Sequence, residues 1–61
     1  MNRIEELRKK QKMSKTELAK RAGVSRTIIW GLESGKQKVT TTATLRKIAE
    51  ALDASVSDIF F

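Results

Sequence analysis

The stretch that most confines this chain is Ala22-Gly23-Val24-Ser25. Apolar residues at helical spacing lie on both sides of it: Leu18, Ala19 and Ala22 before, Ile28, Ile29 and Leu32 after. A connection this short between two short helices forces a sharp crossing, and Gly23 permits the positive φ that such a turn needs. Ser14-Lys15-Thr16-Glu17 reads as a capping box opening the first of the two helices. The Ser14 hydroxyl can accept from the Glu17 amide, a cap worth ~1 kcal/mol, while the Glu17 carboxylate reaches back. Gly23 ends that helix as a left-handed residue, Val24 follows as a buried turn residue, and Ser25 caps the next helix, which Gly35 terminates. Residues 14–34 are thus expected to form a helix-turn-helix.

The rest of the chain is also helical in pattern. Asn2, with Glu5 at the capping-box position, predicts a first helix that carries Ile4 and Leu7 inward and runs to about Gln11, with Met13 as an apolar plug in the connection. After a polar, basic loop over residues 36–40, Thr41 is the expected N-cap of a fourth helix. There Leu45, Ile48, Ala49 and Leu52 fall at i, i+3, i+4 and i+7. Ser55 with Asp58 is a further capping box, opening a short last helix through Val56, Ile59 and Phe60. Val39 to Thr42 is β-prone, and a short edge strand there is the weaker reading. The expected core is Ile4, Leu7, Met13, Leu18, Val24, Ile29, Leu32, Leu45, Ile48, Leu52, Val56 and Ile59.

Composition narrows the function. The chain has no Cys, His or Pro, which removes disulfides, the usual zinc sites and Ser-His or Cys-His catalysis. No apolar run approaches the ~18 residues of a membrane helix and no signal segment opens the chain, so a soluble, cytoplasmic protein is expected. No metal, cofactor, small-molecule ligand or catalytic residue is implied. Thirteen basic residues against seven acidic ones leave a net charge of +6 on 61 residues. That charge either serves solubility or faces a polyanion. Its distribution favours the second use: residues 1–38 carry +7 and residues 39–61 carry −1.

The third helix sharpens this. At about 100° per residue, Ile28, Ile29 and Leu32 point to one side, and Arg26, Thr27, Trp30, Gly31 and Ser34 to the other. Leaving the only Trp of the chain on an outer face forgoes a few kcal/mol of burial, so Trp30 is expected either to pack on a neighbouring helix or a dimer partner, or to lie against DNA. Gly31, costly by ~1 kcal/mol inside a helix, lets the backbone approach a ligand closely or makes room for the Trp30 ring.

The run Ser14 to Ile29, followed by Leu32-Glu33-Ser34-Gly35-Lys36, resembles the Xre/Cro-like helix-turn-helix family, which includes lambdoid phage repressors and many small bacterial regulators. The likeness continues through Leu45 to Leu52 and Val56 to Phe60, and so covers nearly the whole chain. It implies an all-α fold, a compact five-helix lambda-repressor-like domain spanning residues 1–61, that binds double-stranded operator DNA as a symmetric homodimer. By position, Arg26, Thr27, Trp30 and Gly31 stand where the family reads bases. Arg26 is the sharpest candidate, since a guanidinium suits O6 and N7 of guanine. Lys15 and Thr16 begin the second helix, where amides and an ammonium together can hold a phosphate. Ser34, Lys36, Gln37 and Lys38 follow the recognition helix, where the family contacts the DNA backbone. Arg8 and Glu33 match a family ion pair joining the first helix to the end of the recognition helix. Family dimers form through the loop before the fourth helix and the C-terminal helix, which makes Phe60 and Phe61 candidate dimer contacts.

The chain also departs from the family pattern. Lys12 stands where Gly is common, the loop after Gly35 is one residue longer, Val39 to Thr42 replaces a Pro-containing stretch, and Trp30-Gly31 is an uncommon pair. The leading expectation is a sequence-specific DNA-binding regulator, a repressor with residues 25–34 in the major groove. The alternative is an antitoxin-like interaction module that binds DNA secondarily, with Trp30 and the two Phe residues as partner anchors.

Overall fold

A computed structural model of the chain describes residues 2–36 and 41–60. It contains five helices, α1 (Ile4–Lys10), α2 (Lys15–Ala22), α3 (Arg26–Ser34), α4 (Thr42–Ala51) and α5 (Val56–Ile59). Their starts follow from local chemistry. The side-chain oxygens of Ser14, Ser25, Thr41 and Ser55 each accept from the backbone N–H three residues on, satisfying one of the donors a helix start leaves free. Ser55 and Asp58 complete a reciprocal box, with both bonds at 3.2 Å.

Two of the expected boxes are corrected. The Glu17 carboxylate does not return to Ser14; it accepts from Arg21 Nε at 2.7 Å, the favourable i,i+4 order on an exposed helix face. Arg3, not Asn2, is the N-cap of α1, and it makes no side-chain cap bond. Asn2 Oδ1 accepts instead from Ile4 N at 3.1 Å, and Glu5 pairs with Lys9. Thr41 and Thr42 belong to the start of α4 rather than to a strand, while residues 37–40 lie outside the described residues.

The helix ends share one device. In α1, α2 and α4 the chain turns through a left-handed residue, and the next amide bonds back into the last turn: Met13 N to Arg8 O, Val24 N to Ala19 O, Ala54 N to Ala49 O. The device delivers an apolar residue inward each time, burying Met13 and packing Val24 and Ala54 against the core. Gly23 adopts this conformation without strain at φ 71°. Lys12 (57°) and Asp53 (55°) adopt it with a Cβ.

α2 lies at the centre, packed against α3 and α4, with α1 on α3 and α5 on α4. Its inward Ala19 and Ala22 are small, so its neighbours approach closely around Leu18. Ile4, Leu18, Ile29, Ile48, Leu52 and Ile59 are fully buried, one or more from each helix or its end. Leu7, Val24 and Val56 are partly buried against this core, and Leu45, expected inside, is only half-buried. The ends of the chain meet: Arg3 N donates to Ile59 O at 3.0 Å within a bridge pairing Asn2 with Phe60. Gln11 Nε2 donates to Leu52 O at 2.7 Å, tying the end of α1 to the end of α4.

Relieving the left-handed strain is expected to stabilise the domain. Lys12→Gly and Asp53→Gly should each add about 0.5–1 kcal/mol, and Lys12→Ala should add nothing, as read from urea midpoints. Acid should act in the opposite direction. Hydrogen bonding and charge from Lys9 hold the Glu5 carboxyl below its ordinary value of 4.5, and Arg3 does the same for Glu6. The Ser55 hydroxyl and amide lower Asp58 from 3.8. Groups depressed in the folded state contribute stability above their ordinary values and lose it as pH falls through the lowered ones. The urea midpoint should therefore drop between pH 6 and pH 3, and the drop should shrink in Asp58→Asn.

Candidate nucleic-acid interface

The outward side of α3 is built by the same periodicity that buries Ile29 and Leu32. Arg26 is the first helical residue and Thr27 the second, both exposed. Trp30, one turn further on, is the exposed large hydrophobic residue of the described chain, at 46%. The Arg26 guanidinium carbon lies 5.6 Å from the Trp30 ring centroid, a cation–π arrangement at i,i+4 spacing. No acidic residue stands in the first turn of α3, so Arg26 sits uncompensated at the positive end of the helix dipole.

Beside this pair runs an open groove of about 500 Å³, lined by Lys15, Thr27, Trp30, Gly31, Ser34 and Lys36. Residues from the start of α2, the face of α3 and the segment after α3 thus meet on one surface. Among the described residues, Arg26, Lys15 and Lys36 lie in no ion pair, unlike Arg3, Arg8, Lys9 and Arg21. Thr16 is exposed on the first turn of α2 but does not line the groove. The Ser34 hydroxyl donates to Gly31 O at 3.2 Å and accepts from Lys36 N at 3.4 Å, so it closes the end of its own helix. Gln37, Lys38 and Phe61 lie outside the described residues. Phe60 is half-buried against the core, away from the groove.

The orientation of α3 is held from behind. Arg8 donates from Nε to Glu33 Oε2 at 2.9 Å and from Nη2 to Oε1 at 3.1 Å, while Nη1 donates to Met13 O at 2.8 Å. Both side chains are buried, at 8% and 2% exposure. One guanidinium therefore joins α1, the α1–α2 connection and the last turn of α3. Asn2 Nδ2 adds a second tie, donating to Leu32 O at 2.8 Å. No buried side-chain polar atom among the described residues lacks a partner.

Sequence reasoning treated Arg26 and Trp30 separately and missed their stacking, although their i,i+4 spacing on one helix was the available signal. It also missed the Asn2 and Gln11 side-chain bonds to carbonyls, which join residues 30 and 41 positions apart and leave no local trace.

Comparison with known proteins agrees with this architecture. The helix-turn-helix family model matches residues 4–59. An uncharacterized HTH-type transcriptional regulator of Archaeoglobus fulgidus is 45% identical over 58 residues, covering 95% of this chain and 80% of the relative. Among solved structures, the N-terminal DNA-binding domain of SinR from Bacillus subtilis superposes with a TM-score of 0.86 at 34% identity, over 90% of this chain and 80% of that one. A SinR–SinI protein complex contains a chain matching at TM-score 0.84 and 35% identity, over 88% of this chain and 52% of that one. The chain belongs to the Xre/Cro-like helix-turn-helix family, a family of transcriptional regulators and not of enzymes. Its five helices form the lambda-repressor-like fold, similar to that of the SinR domain.

Breaking the Arg8–Glu33 pair from one side leaves a buried charge without a partner, a loss of about 3–5 kcal/mol. Glu33→Leu is therefore expected to unfold most of a domain this small at 37 °C, with Arg8→Met/Glu33→Leu recovering part of the loss, as followed by circular dichroism melts.

Proposed function

We propose that this domain is a sequence-specific DNA-binding repressor that acts as a homodimer on a two-fold operator, with residues 25–34 of each copy in a major groove. The observation that carries the reading is the single groove in which the outer face of α3 meets Lys15 from α2 and Lys36 from the segment after α3. Thr27, Trp30 and Gly31 supply a surface narrow enough to approach base edges, and Lys15 and Lys36 supply cations for the flanking phosphates. Arg26 reads guanine from the leading end of α3. Thr16 and the segment bearing Gln37 and Lys38 add backbone contacts, and Ser34 does so by exchanging its bond to Gly31 O for one to phosphate. The neighbouring fold of the SinR domain, described as DNA-binding, supports the same use.

Dimensions support the dimer. The domain measures 25 × 22 × 19 Å, and successive major grooves on one face of B-DNA are ~34 Å apart. One copy spans one groove, so a second copy is required for a two-fold site. The C-terminal face that bears Phe60, and Phe61 beyond it, is our choice for the contact between copies. Occupation of a promoter by such a dimer excludes polymerase, which is repression.

Titrating the protein onto a selected site and onto random duplexes at two salt concentrations tests this. We expect a clear preference for the selected site and a steep fall of both affinities with salt. Equal affinity for the two duplexes would overturn the reading. Arg26→Ala should relax specificity at one base position per half-site, whereas Lys36→Ala should weaken all duplexes alike and lower the salt slope by about one unit.

A further inference from the structure

We propose that Trp30 is a positioning residue for Arg26, so that guanine recognition belongs to the stacked pair and not to Arg26 alone. The inference rests on the DNA-reading assignment above and adds how the reading side chain is held.

Three observations combine. First, Arg26 occupies the first position of a helix whose first turn carries no acid, so the dipole disfavours its charge there. Second, none of the ion pairs among the described residues includes Arg26, whereas Arg3, Arg8 and Arg21 are each held by a carboxylate. Third, the contact that the structure does give its guanidinium is the Trp30 ring, 5.6 Å to the centroid. A long side chain with four rotatable bonds loses most of its discrimination if it must be ordered at the moment of binding. A carboxylate would order it by occupying one edge of the fork and neutralising its charge. An aromatic face orders the guanidinium through its π-cloud and leaves the in-plane N–H fork free for O6 and N7.

The surroundings fit this division of labour. Trp30 is exposed and lines the groove, so its ring reaches the same surface as the side chain it supports. Ile29 and Leu32 anchor α3 in the core on the opposite side, and the Arg8–Glu33 pair holds its last turn, so the helix that carries the ring is tied down at both places. Trp30 stands outside the buried core, so substitutions there are expected to leave the fold in place.

The test uses the full chain and a site selected from a random duplex library. Each selected guanine is replaced in turn by 7-deazaguanine, which removes the N7 acceptor and nothing else from the major-groove edge. For the wild type we expect roughly a five- to tenfold loss of affinity at one guanine per half-site. In Trp30→Ala and Trp30→Leu that penalty should shrink to about twofold or less. Trp30→Phe, which keeps an aromatic face, should retain most of it. Circular dichroism melts confirm that the variants fold, and unchanged salt slopes confirm that no phosphate contact was lost. An undiminished 7-deaza penalty in Trp30→Ala, with all duplexes weakened equally, would overturn the proposal and make Trp30 an independent contact. Absence of any 7-deaza penalty in the wild type, or in Arg26→Ala no change from it, would overturn the guanine-reading assignment itself and this proposal with it.

Discussion

One guanidinium, that of Arg8, decides where the recognition surface stands. Three of its N–H groups are committed, two to Glu33 near the end of α3 and one to Met13 O in the connection before α2. The fork geometry of the guanidinium satisfies both carboxylate oxygens at once. A buried pair of this kind adds little net stability over apolar residues of the same size. What it supplies is direction. α3 cannot rotate or slide without uncovering a charge, and so the side that bears Trp30 must face out.

The rest of the surface depends on that constraint. Lys15 and Lys36 come from segments that are adjacent only because α2 and α3 cross at Gly23 and α3 ends at Gly35. Three cations outside any ion pair among the described residues, Lys15, Arg26 and Lys36, meet on this side, while Arg3, Arg8, Lys9 and Arg21 are neutralised by neighbours on α1 and α2 or by Glu33. The overall charge of +6 is therefore less informative than its pairing: the unpaired part is what a polyanion would meet. The near-neutral C-terminal third is occupied with closing the fold, through α4 against α2 and the bridge between Asn2 and Phe60.

Much of this was legible before any coordinates. Ser14, Ser25, Thr41 and Ser55 announce helix starts because capping is a bond to the residue three positions on, and distance in the fold does not enter. Gly23 and the flanking apolar stripes announce the crossing for the same reason. Lys12 and Asp53 were different. Both take the left-handed conformation that usually calls for glycine, and they do so because burying Met13 and packing Ala54 outweigh a local strain of about 1 kcal/mol. Glu17 and Glu5 were assigned to caps, but each had a cation four residues away, and on an exposed helix face that pairing competed successfully. Of the candidate site, Lys15, Thr27, Trp30, Gly31, Ser34 and Lys36 were nominated individually; their meeting in one groove was not visible residue by residue.

The sequence by itself determined five helices, the caps of four of them, the inward stripes and the family to which the chain belongs, since these are set by periodicity and by bonds that span three or four residues. Only the tertiary structure decided that Asn2 would hold Leu32 O and that Gln11 would hold Leu52 O. Both join distant residues through side-chain directions that the sequence leaves open. Such choices are made when the helices pack, because only then is it known which directions are filled and which remain open.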